Sequence, residues 1–258
     1  RTTFRMKARQ VADIIENFAP LATQESWDNA GFCIGSPDAE VKGVMVGFDC
    51  TPSLIDEAVA AGCNMVVTHH PLIFKGVKKI NPDTFQGAAI VSAIKHDMVV
   101  YSAHTNADKA ADGVSWLMAA KLGLTDVEPL GEDGLGVVGV LPEAMDSKAF
   151  IDMVKKAFGL PAVRCSKPLS KPVRRVAMCG GAGGSMIEEA QAAGADAYLC
   201  GDLSYHCFFT DEGFMLMDVG HFESEIDIVE KLFGLLSEKI HTFAVRKTQN
   251  NNNPVYYY

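Results

Sequence analysis

Two adjacent histidines, His69 and His70, follow the apolar run Met65–Thr68, which the sequence predicts to be a buried strand. Pro71 ends that strand, because proline cannot donate a hydrogen bond to a ladder. Imidazole nitrogens are ligands that several divalent transition metals accept. The pair is therefore a candidate for metal binding.

The same plan recurs twice, with a carboxylate four residues after a histidine. The pairs are His104 with Asp108 and His221 with Glu225, and an apolar run precedes each of them. Residues four apart on a helical turn lie on the same side, so one turn can aim both groups at one point. We predict that five of these side chains meet around a pair of metal ions: His69, His70, Asp108, His221 and Glu225.

The number and type of these side chains indicate what they bind. Five ligands exceed what one catalytic ion with an open position takes from a protein, so we predict two divalent ions per chain. Imidazole and carboxylate together suit Zn, Mn, Fe, Co or Ni. Glu225 is the preferred bridge between ions roughly 3.5–4 Å apart. No Cys-x-x-Cys pair occurs, which disfavours a structural zinc ribbon.

Other polar residues near these segments have two interpretations each. His104 and His206 could act as general acid or base, or could hold a ligand by a hydrogen bond. Asp202 could orient a ligand or cap the next helix. The glycine-rich stretch 180–184 could bind an anion at a helix N-terminus or form a tight turn without a ligand.

Composition limits the classes of protein that fit. The 258 residues are 48% apolar and 21% charged, as in ordinary globular proteins, and no apolar run approaches the ~18 residues of a membrane span. A net charge of −9 argues against a nucleic-acid or anionic-membrane surface. Lys75, Lys78 and Lys79 could attract an anionic substrate or could simply be solvated. Seven cysteines in mostly apolar surroundings indicate reduced thiols and a cytoplasmic location.

Apolar runs alternate with helical periods, which predicts βαβ units and an α/β fold. Ligands in such folds collect beyond the carboxyl ends of the strands, where the five metal candidates lie. We predict strands at 44–48, 65–68, 99–103, 137–141 and 216–220, and helices at 7–18, 52–61, 87–96, 113–121, 147–158 and 225–236. The tail after the last helix is expected to cross a surface or a subunit contact.

The two halves of the chain resemble each other. Residues 44–64 align with 176–196 without a gap, and eight of these 21 positions are identical. Such similarity at a fixed offset indicates a repeated supersecondary unit. We expect two similar lobes with mostly parallel sheets, related by a pseudo-twofold axis, and the metal site in the cleft between them. The predicted bounds are 6–130 for the first lobe, 131–172 for a βα connector and 173–258 for the second lobe.

The beginning of the chain carries one further expectation. The first methionine is Met6, which looks like a natural start, so residues 1–4 are expected to be an addition.

Several motifs, in order along nearly the whole chain, resemble those of the GTP cyclohydrolase I type 2 homologs, also called the NGG-interacting-factor-three-like proteins. They are Glu25-Ser-Trp-Asp-Asn-Ala-Gly-Phe, Thr68-His-His-Pro-Leu-Ile-Phe74, Ser102-Ala-His-Thr-Asn-Ala-Asp108, Gly201-Asp202 with His206, and Gly220-His-Phe-Glu-Ser-Glu225. The resemblance implies a dinuclear metal centre, two α/β lobes and a homohexameric ring. The family's metal ligands fall on the five side chains named above. Some members carry an inserted domain, for which 131–172 is too short.

The resemblance also implies an activity. A metal-bridging hydroxide would attack a purine nucleotide such as GTP at C8, and His104 or His206 would move protons. Hydrolysis of another nucleotide or phosphoester stays open, as does a metal-handling or scaffold role without turnover. A basic, guanine-sized pocket beside the metals would favour an enzyme.

Overall fold

The computed structural model describes residues 5–258, which divide into two compact units, and the expectation for residues 1–4 lies outside them. Unit 1 runs to Ala110 and also contains Ile228–Pro254. Unit 2 comprises Ala111–Asp227 and Val255–Tyr258. The last strand of the chain returns to the first sheet, so unit 1 includes part of the range 173–258, while the predicted lobes 6–130 and 173–258 and connector 131–172 stay a prediction.

Unit 1 is an α/β layer structure built on five strands. Its strands are β1 (Gly31–Ile34), β2 (Gly43–Gly47), β3 (Met65–Thr68), β4 (Val99–Ser102) and β11 (Ala244–Lys247). Its helices are α1 (Ala8–Phe18), α2 (Pro52–Ala60), α3 (Phe85–Lys95), α4 (Thr105–Lys109) and α9 (Asp227–Lys239), with a 3-10 turn at Leu21–Thr23. The strand order is β1-β4-β3-β2-β11, and only β1 runs antiparallel to its neighbour. The predicted parallel pairing is confirmed here.

Alternation along the strands of unit 1 gives each face of the sheet its own layer. Met45, Val66 and Val100 pack with helices α2 and α3. Tyr101 belongs to the opposite face, and its hydroxyl donates to Glu16 of α1 at 2.8 Å. Because both faces are covered, the strands are continuously apolar, which is why the sequence indicated them clearly.

Unit 2 has six strands and a mixed sheet. Its strands are β5 (Thr125–Leu130), β6 (Gly136–Met145), β7 (Arg164–Cys165), β8 (Val173–Ala182), β9 (Ala197–Gly201) and β10 (Met215–Asp218). Its helices are α5 (Val114–Lys121), α6 (Ser147–Phe158), α7 (Ile187–Ala192) and α8 (His221–Glu225), with 3-10 turns at Gly184–Met186 and Tyr205–Phe208. The order is β5-β6-β8-β9-β10-β7, and only β8, β9 and β10 pair in parallel. The prediction of a mostly parallel sheet is wrong for unit 2, because β6 and β7 pair antiparallel with the edges of that centre and β5 pairs antiparallel with β6.

The ladders bear out the predicted repeat. Val44 pairs with Met65 in unit 1, and Val176 pairs with Ala197 in unit 2. Both residues of the second pair lie 132 positions after those of the first. The next two rungs of each ladder follow the same rule. The shared register shows that the sequence similarity corresponds to one repeated strand–helix–strand unit.

The C-terminal part of the chain differs from its prediction in two ways. The helix expected at 225–236 is divided into α8 and α9, and the site residue Glu225 lies at the end of α8. The tail contains β11, which extends the first sheet beside β2. Its burial pattern is mostly exposed, so no apolar run marked it as a strand.

Glu57 of α2 anchors the residues that follow β11. Its carboxylate accepts hydrogen bonds from the Thr248 hydroxyl, from the Gln249 backbone at 3.0 Å and from the Asn250 amide at 2.6 Å. Burial raises the pKa of Glu57, but these three bonds outweigh it and lower the pKa below its ordinary value. One charged group therefore fastens the end of unit 1 to its second helix.

We expect Glu57→Ala to lower the free energy of unfolding by about 1–2 kcal/mol, since bonds to a charged acceptor are lost. The folded-state pKa lies below the unfolded value of 4.5. The stabilisation is therefore present above pH 4.5 and disappears as the pH falls through the folded-state pKa. Urea unfolding of both proteins at neutral and acidic pH measures this difference. Asp56→Ala, at the exposed neighbouring position, is the control and should behave as the wild type.

Candidate metal centre

His69 and His70 lie directly after β3, where the structure fixes both rings from the Nδ1 side. His69 is fully buried, and its Nδ1 lies 2.8 Å from the carbonyl oxygen of Ala103, just past β4. His70 is half-buried, and its Nδ1 lies 2.8 Å from a carboxylate oxygen of Asp49, just past β2. Each ring is thus held by the end of a neighbouring strand.

His104 is held in the same manner by a loop of the N-terminal region. Its Nδ1 lies 2.7 Å from Asp28, whose side chain is wholly buried. The same carboxylate accepts hydrogen bonds from the backbone and the hydroxyl of Thr105. Burial raises the pKa of Asp28, but the bonds from His104 and Thr105 outweigh it and lower the pKa to about 2. Asp28 is therefore charged at neutral pH.

The tautomers of these three histidines follow from their partners. A carbonyl or carboxylate oxygen only accepts, so each Nδ1 carries the hydrogen and each neutral ring keeps its lone pair on Nε2. Ligand atoms of His69, His70 and His104 lie within 4.8 Å of one another. Histidines that bind a metal through Nε2 usually have their Nδ1–H hydrogen-bonded to an oxygen acceptor in this way. The donor set of unit 1 therefore fits a divalent ion.

Asp108 supplies a carboxylate to the same cluster. It lies on α4, which starts after His104, and its backbone N–H donates to the His104 carbonyl at 3.0 Å. One of its carboxylate oxygens lies 3.4 Å from Nε2 of His69. The residue is 8% exposed, which is unusual for aspartate. The predicted group His69, His70 and Asp108 is thus assembled within unit 1.

Unit 2 contains the second predicted pair. His221 starts α8 and Glu225 ends it, and Nε2 of His221 lies 3.0 Å from a carboxylate oxygen of Glu225. Nδ1 of His221 lies 2.6 Å from Asp202, which follows β9. Of the two interpretations of Asp202, the orienting carboxylate is confirmed. Glu225 is only 3% exposed, so unit 2 also presents a buried carboxylate beside an oriented imidazole.

The glycine-rich stretch 180–184 serves a purpose that neither sequence interpretation covered. A methyl group at Gly181, whose φ is +67°, would lie 2.3 Å from a carboxylate oxygen of Glu225 and 3.1 Å from Nε2 of His221. Its backbone N–H donates to the hydroxyl of Ser224 at 2.9 Å. Gly181 therefore leaves the space that Glu225 occupies. The sequence signal was present as a glycine-rich stretch inside the repeat at 176–196, but Glu225, which this glycine accommodates, lies 44 residues away.

The sequence places His104 and His221 at the same point of a recurring plan, but in the structure their positions differ by one residue. Val99 of β4 and Met215 of β10 hold equivalent rungs, an offset of 116. The helices agree, because α4 is preceded by His104 and α8 by Gly220. His104 thus corresponds to Gly220, and the alignment with His221 is wrong by one position.

Other candidates lie apart from these clusters. His206 is exposed on a 3-10 turn, its ring 5.1 Å from Tyr205, and among the described residues it belongs to no His/Cys/Asp/Glu group close enough to hold an ion.

Burial raises the pKa of Cys50 and of Cys200 to about 12, so these thiols remain protonated. They pack as small apolar groups, and the cytoplasmic location stays a prediction. Lys75, Lys78 and Lys79 lie exposed on one loop.

Two α/β units, each with oriented histidines and carboxylates beyond the ends of its strands, define the class to which this protein belongs. The chain is a member of the Duf34/NIF3 (NGG1p interacting factor 3) family, whose model matches residues 6–254. Its relatives include the GTP cyclohydrolase 1 type 2 homolog of Clostridium acetobutylicum, 34% identical over 96% of this chain and 98% of the relative. The homolog of the same name from Streptococcus pneumoniae is 32% identical over 98% and 100% of the two chains. The resemblance seen in the sequence is confirmed.

Solved structures agree with this assignment. The Bacillus cereus protein related to NIF3 has a TM-score of 0.89 over 99% of this chain and all of its own, at 23% identity, which shows the fold. Reduced HcgD from Methanocaldococcus jannaschii is 28% identical, with a TM-score of 0.81 over 96% and 99% of the two chains. No helix among residues 5–258 combines the length and apolarity needed to span a bilayer.

We expect Gly181→Ala to weaken metal binding, because the added methyl group displaces Glu225. Gly194→Ala is the matched control, since Gly194 has a φ of +72° and an added methyl group there meets no atom within 4 Å. Both variants carry the cost of a left-handed residue, about 1–2 kcal/mol. Thermal unfolding and zinc titration separate the effects. Equal zinc affinity in the two variants would contradict this role of Gly181.

Proposed function

We propose that this protein is a hydrolase that depends on two divalent metal ions and acts on a purine nucleotide such as GTP. The observation that carries the proposal is that four histidines have Nδ1 fixed by an oxygen acceptor, which makes Nε2 the ring atom that can take a metal ion or a proton: His69, His70, His104 and His221. Two nearly buried carboxylates, Asp108 and Glu225, accompany them. The names of the relatives support the choice of GTP.

The proposal assigns five ligands to the two ions. They are the side chains predicted from the sequence: His69, His70, Asp108, His221 and Glu225. Five ligands exceed what one catalytic ion with an open position takes from a protein. When bound, the ions supply an acidified water near neutral pH and stabilise negative charge that develops on the substrate. Membership of the family supports this assignment.

His104 is the residue we assign to proton transfer. Its Nδ1 is fixed on the charged Asp28, so Nε2 can accept a proton and return it while the ring keeps its orientation. In the proposed reaction water adds to C8 of guanine, the C8–N9 bond opens, and a second water releases C8 as formate. The first water places one proton on N7 and gives the other to N9 as the C8–N9 bond opens, which leaves a formamide on N7. The second water attacks that formamide carbon and gives a proton to N7 as formate departs. The exposed His206 stays an alternative for this role.

The exposed lysine loop is suited to the charged end of a nucleotide. Lys75, Lys78 and Lys79 follow Phe74, a close neighbour of His104. In a chain with a net charge of −9, a local cluster of cations offsets the repulsion of a triphosphate. We therefore assign the phosphates to this loop.

We expect the wild type to bind two divalent ions per chain and Asp108→Asn to bind clearly fewer. The amide keeps the shape of the carboxylate but removes its charge, which weakens its bond to a cation. Metal content after reconstitution and dialysis, measured by atomic emission, tests the site. Asp83→Asn, at an exposed position, is the control. Full metal content in Asp108→Asn would refute the assignment of Asp108.

We expect metal-loaded wild type to release formate from GTP, and Asp108→Asn to lose at least about 100-fold in rate, as one misplaced catalytic group commonly costs. Formate is measured with a coupled dehydrogenase assay. Turnover that disappears in the variant supports both the reaction and its location. No turnover with any of the five metals, despite two bound ions, would move the assignment to another substrate or to metal handling.

We also propose a homohexamer, on the support of family membership. Light scattering should then give a particle of six times the 27.8 kDa chain mass. Asp108→Asn should have the same mass, because we assign the ring contacts to surfaces other than the metal ligands. A smaller particle in the variant alone would contradict that separation.

A further inference from the structure

Two large aromatic side chains beside His104, Trp27 and Phe74, are exposed to solvent instead of being buried in the core. Trp27 is 58% exposed and Phe74 is 39% exposed. Single exposed apolar groups are ordinary on a protein surface, whereas a contiguous exposed group next to polar site residues marks a binding surface. Here the two rings are in contact, with centroids 5.9 Å apart.

The three rings stand almost perpendicular to one another. Trp27 and Phe74 meet at 75°, Trp27 and His104 at 77° with centroids 6.4 Å apart, and Phe74 and His104 at 87° with centroids 5.9 Å apart. Three mutually perpendicular planes form the corner of a box. A flat ring placed in such a corner stacks on one wall and makes edge contacts with the other two, the two favoured arrangements of aromatic pairs.

The corner is fixed by hydrogen bonds on both sides. Asp28, next to Trp27, is the buried partner of His104 and Thr105. The side-chain amide of Asn29 donates to the carbonyl oxygen of Ile73, the residue before Phe74. The residues after Trp27 are thus hydrogen-bonded to the segments that carry His104 and Phe74. Because the three rings are already held in place, a ligand loses little affinity to the entropy cost of ordering them.

We propose that Trp27 and Phe74 hold the flat heteroaromatic ring of the substrate beside the metal cluster. His104 is the shared wall, because its ring also lies 5.4 Å from those of His69 and His70. A ring stacked on Trp27 therefore has an edge directed at the histidines. This inference rests on the proposed function, for which the ring is a purine. The binding itself requires only a flat aromatic ring.

A second exposed aromatic group, Tyr205 and Phe209 of unit 2, is the alternative. These rings are 70% and 73% exposed and lie 5.5 Å apart. Their imidazole neighbour is His206, which belongs to no metal-capable group among the described residues. The Trp27 corner is the better candidate because it shares a histidine with the metal cluster.

Tryptophan fluorescence tests the proposal directly, since the chain has two tryptophans and the other, Trp116, is packed against the core of unit 2. Guanosine titrated into the wild type should quench the emission in a saturable manner, and ribose 5-phosphate should not. The quench should be absent in Trp27→Leu, which retains Trp116 as an internal reference. Phe74→Leu should weaken guanosine binding on the order of 10-fold, since one stacking contact is lost. Phe85→Leu, an aromatic of the same unit that is 71% exposed, is the matched control and should bind as the wild type.

A saturable quench that persists in Trp27→Leu, or its absence in the wild type, would overturn the proposal. So would an equal loss of affinity in Phe74→Leu and Phe85→Leu. The test is separable from the proposed reaction. Guanosine quenching without formate release from GTP retains the corner and rejects the reaction. Normal formate release with an unchanged KM for GTP in Trp27→Leu rejects the corner and retains the reaction.

Discussion

The hydrogen bond from Nδ1 of His69 to the carbonyl oxygen of Ala103 is the contact on which the unit 1 cluster depends. It joins the ends of two parallel strands, and it forms only when Thr68 and Ser102 pair in register, which the Ala103 N–H to Thr68 carbonyl bond maintains at 3.0 Å. A slip of one residue would direct the imidazole to the other face of the sheet. The ladder therefore determines both the tautomer of His69 and the direction in which its Nε2 atom points.

A second constraint, found in each unit, is the cost of burying a charged carboxylate. Asp108 and Glu225 are 8% and 3% exposed, and a carboxylate so far from water is costly unless positive charge compensates it. Imidazole Nε2 atoms lie 3.4 Å and 3.0 Å from these two carboxylates. A divalent cation bound by such oxygen and nitrogen atoms would compensate the buried negative charge. The burial of both carboxylates therefore fits the proposed metal site.

The sequence predicted what depends on local pattern and missed what depends on distant neighbours. Strand β3 and helix α6 were predicted with the observed bounds, because a continuous apolar run followed by Pro71 and a helical period are local signals. Strand β11 was missed, since it is exposed at an edge and is defined only by its partner β2. The stretch that contains Gly181 was interpreted as an anion site or a tight turn, because nothing local reveals that Glu225 fills the space of the missing side chain. His104 was separated from the ligand candidates, although Asp28, 76 residues earlier, orients it as the others are oriented.

The repeat explains how one architecture yields two different clusters. In unit 1 a carboxylate after the first strand of the repeat, Asp49, holds the histidine after the second, His70. In unit 2 the carboxylate comes after the second strand, as Asp202, and it holds the histidine after the third, His221. Position 202 corresponds to position 70 in the shared register. At this position unit 1 has the histidine that is oriented, His70, whereas unit 2 has the carboxylate that orients, Asp202. The carboxylate–imidazole hydrogen bond is therefore present in both units, but it lies one strand further along the repeat in unit 2. The histidine that it orients follows the second strand in unit 1 and the third strand in unit 2. The ladder tolerates this exchange because it fixes only where each strand ends and leaves the residues beyond that point free to differ.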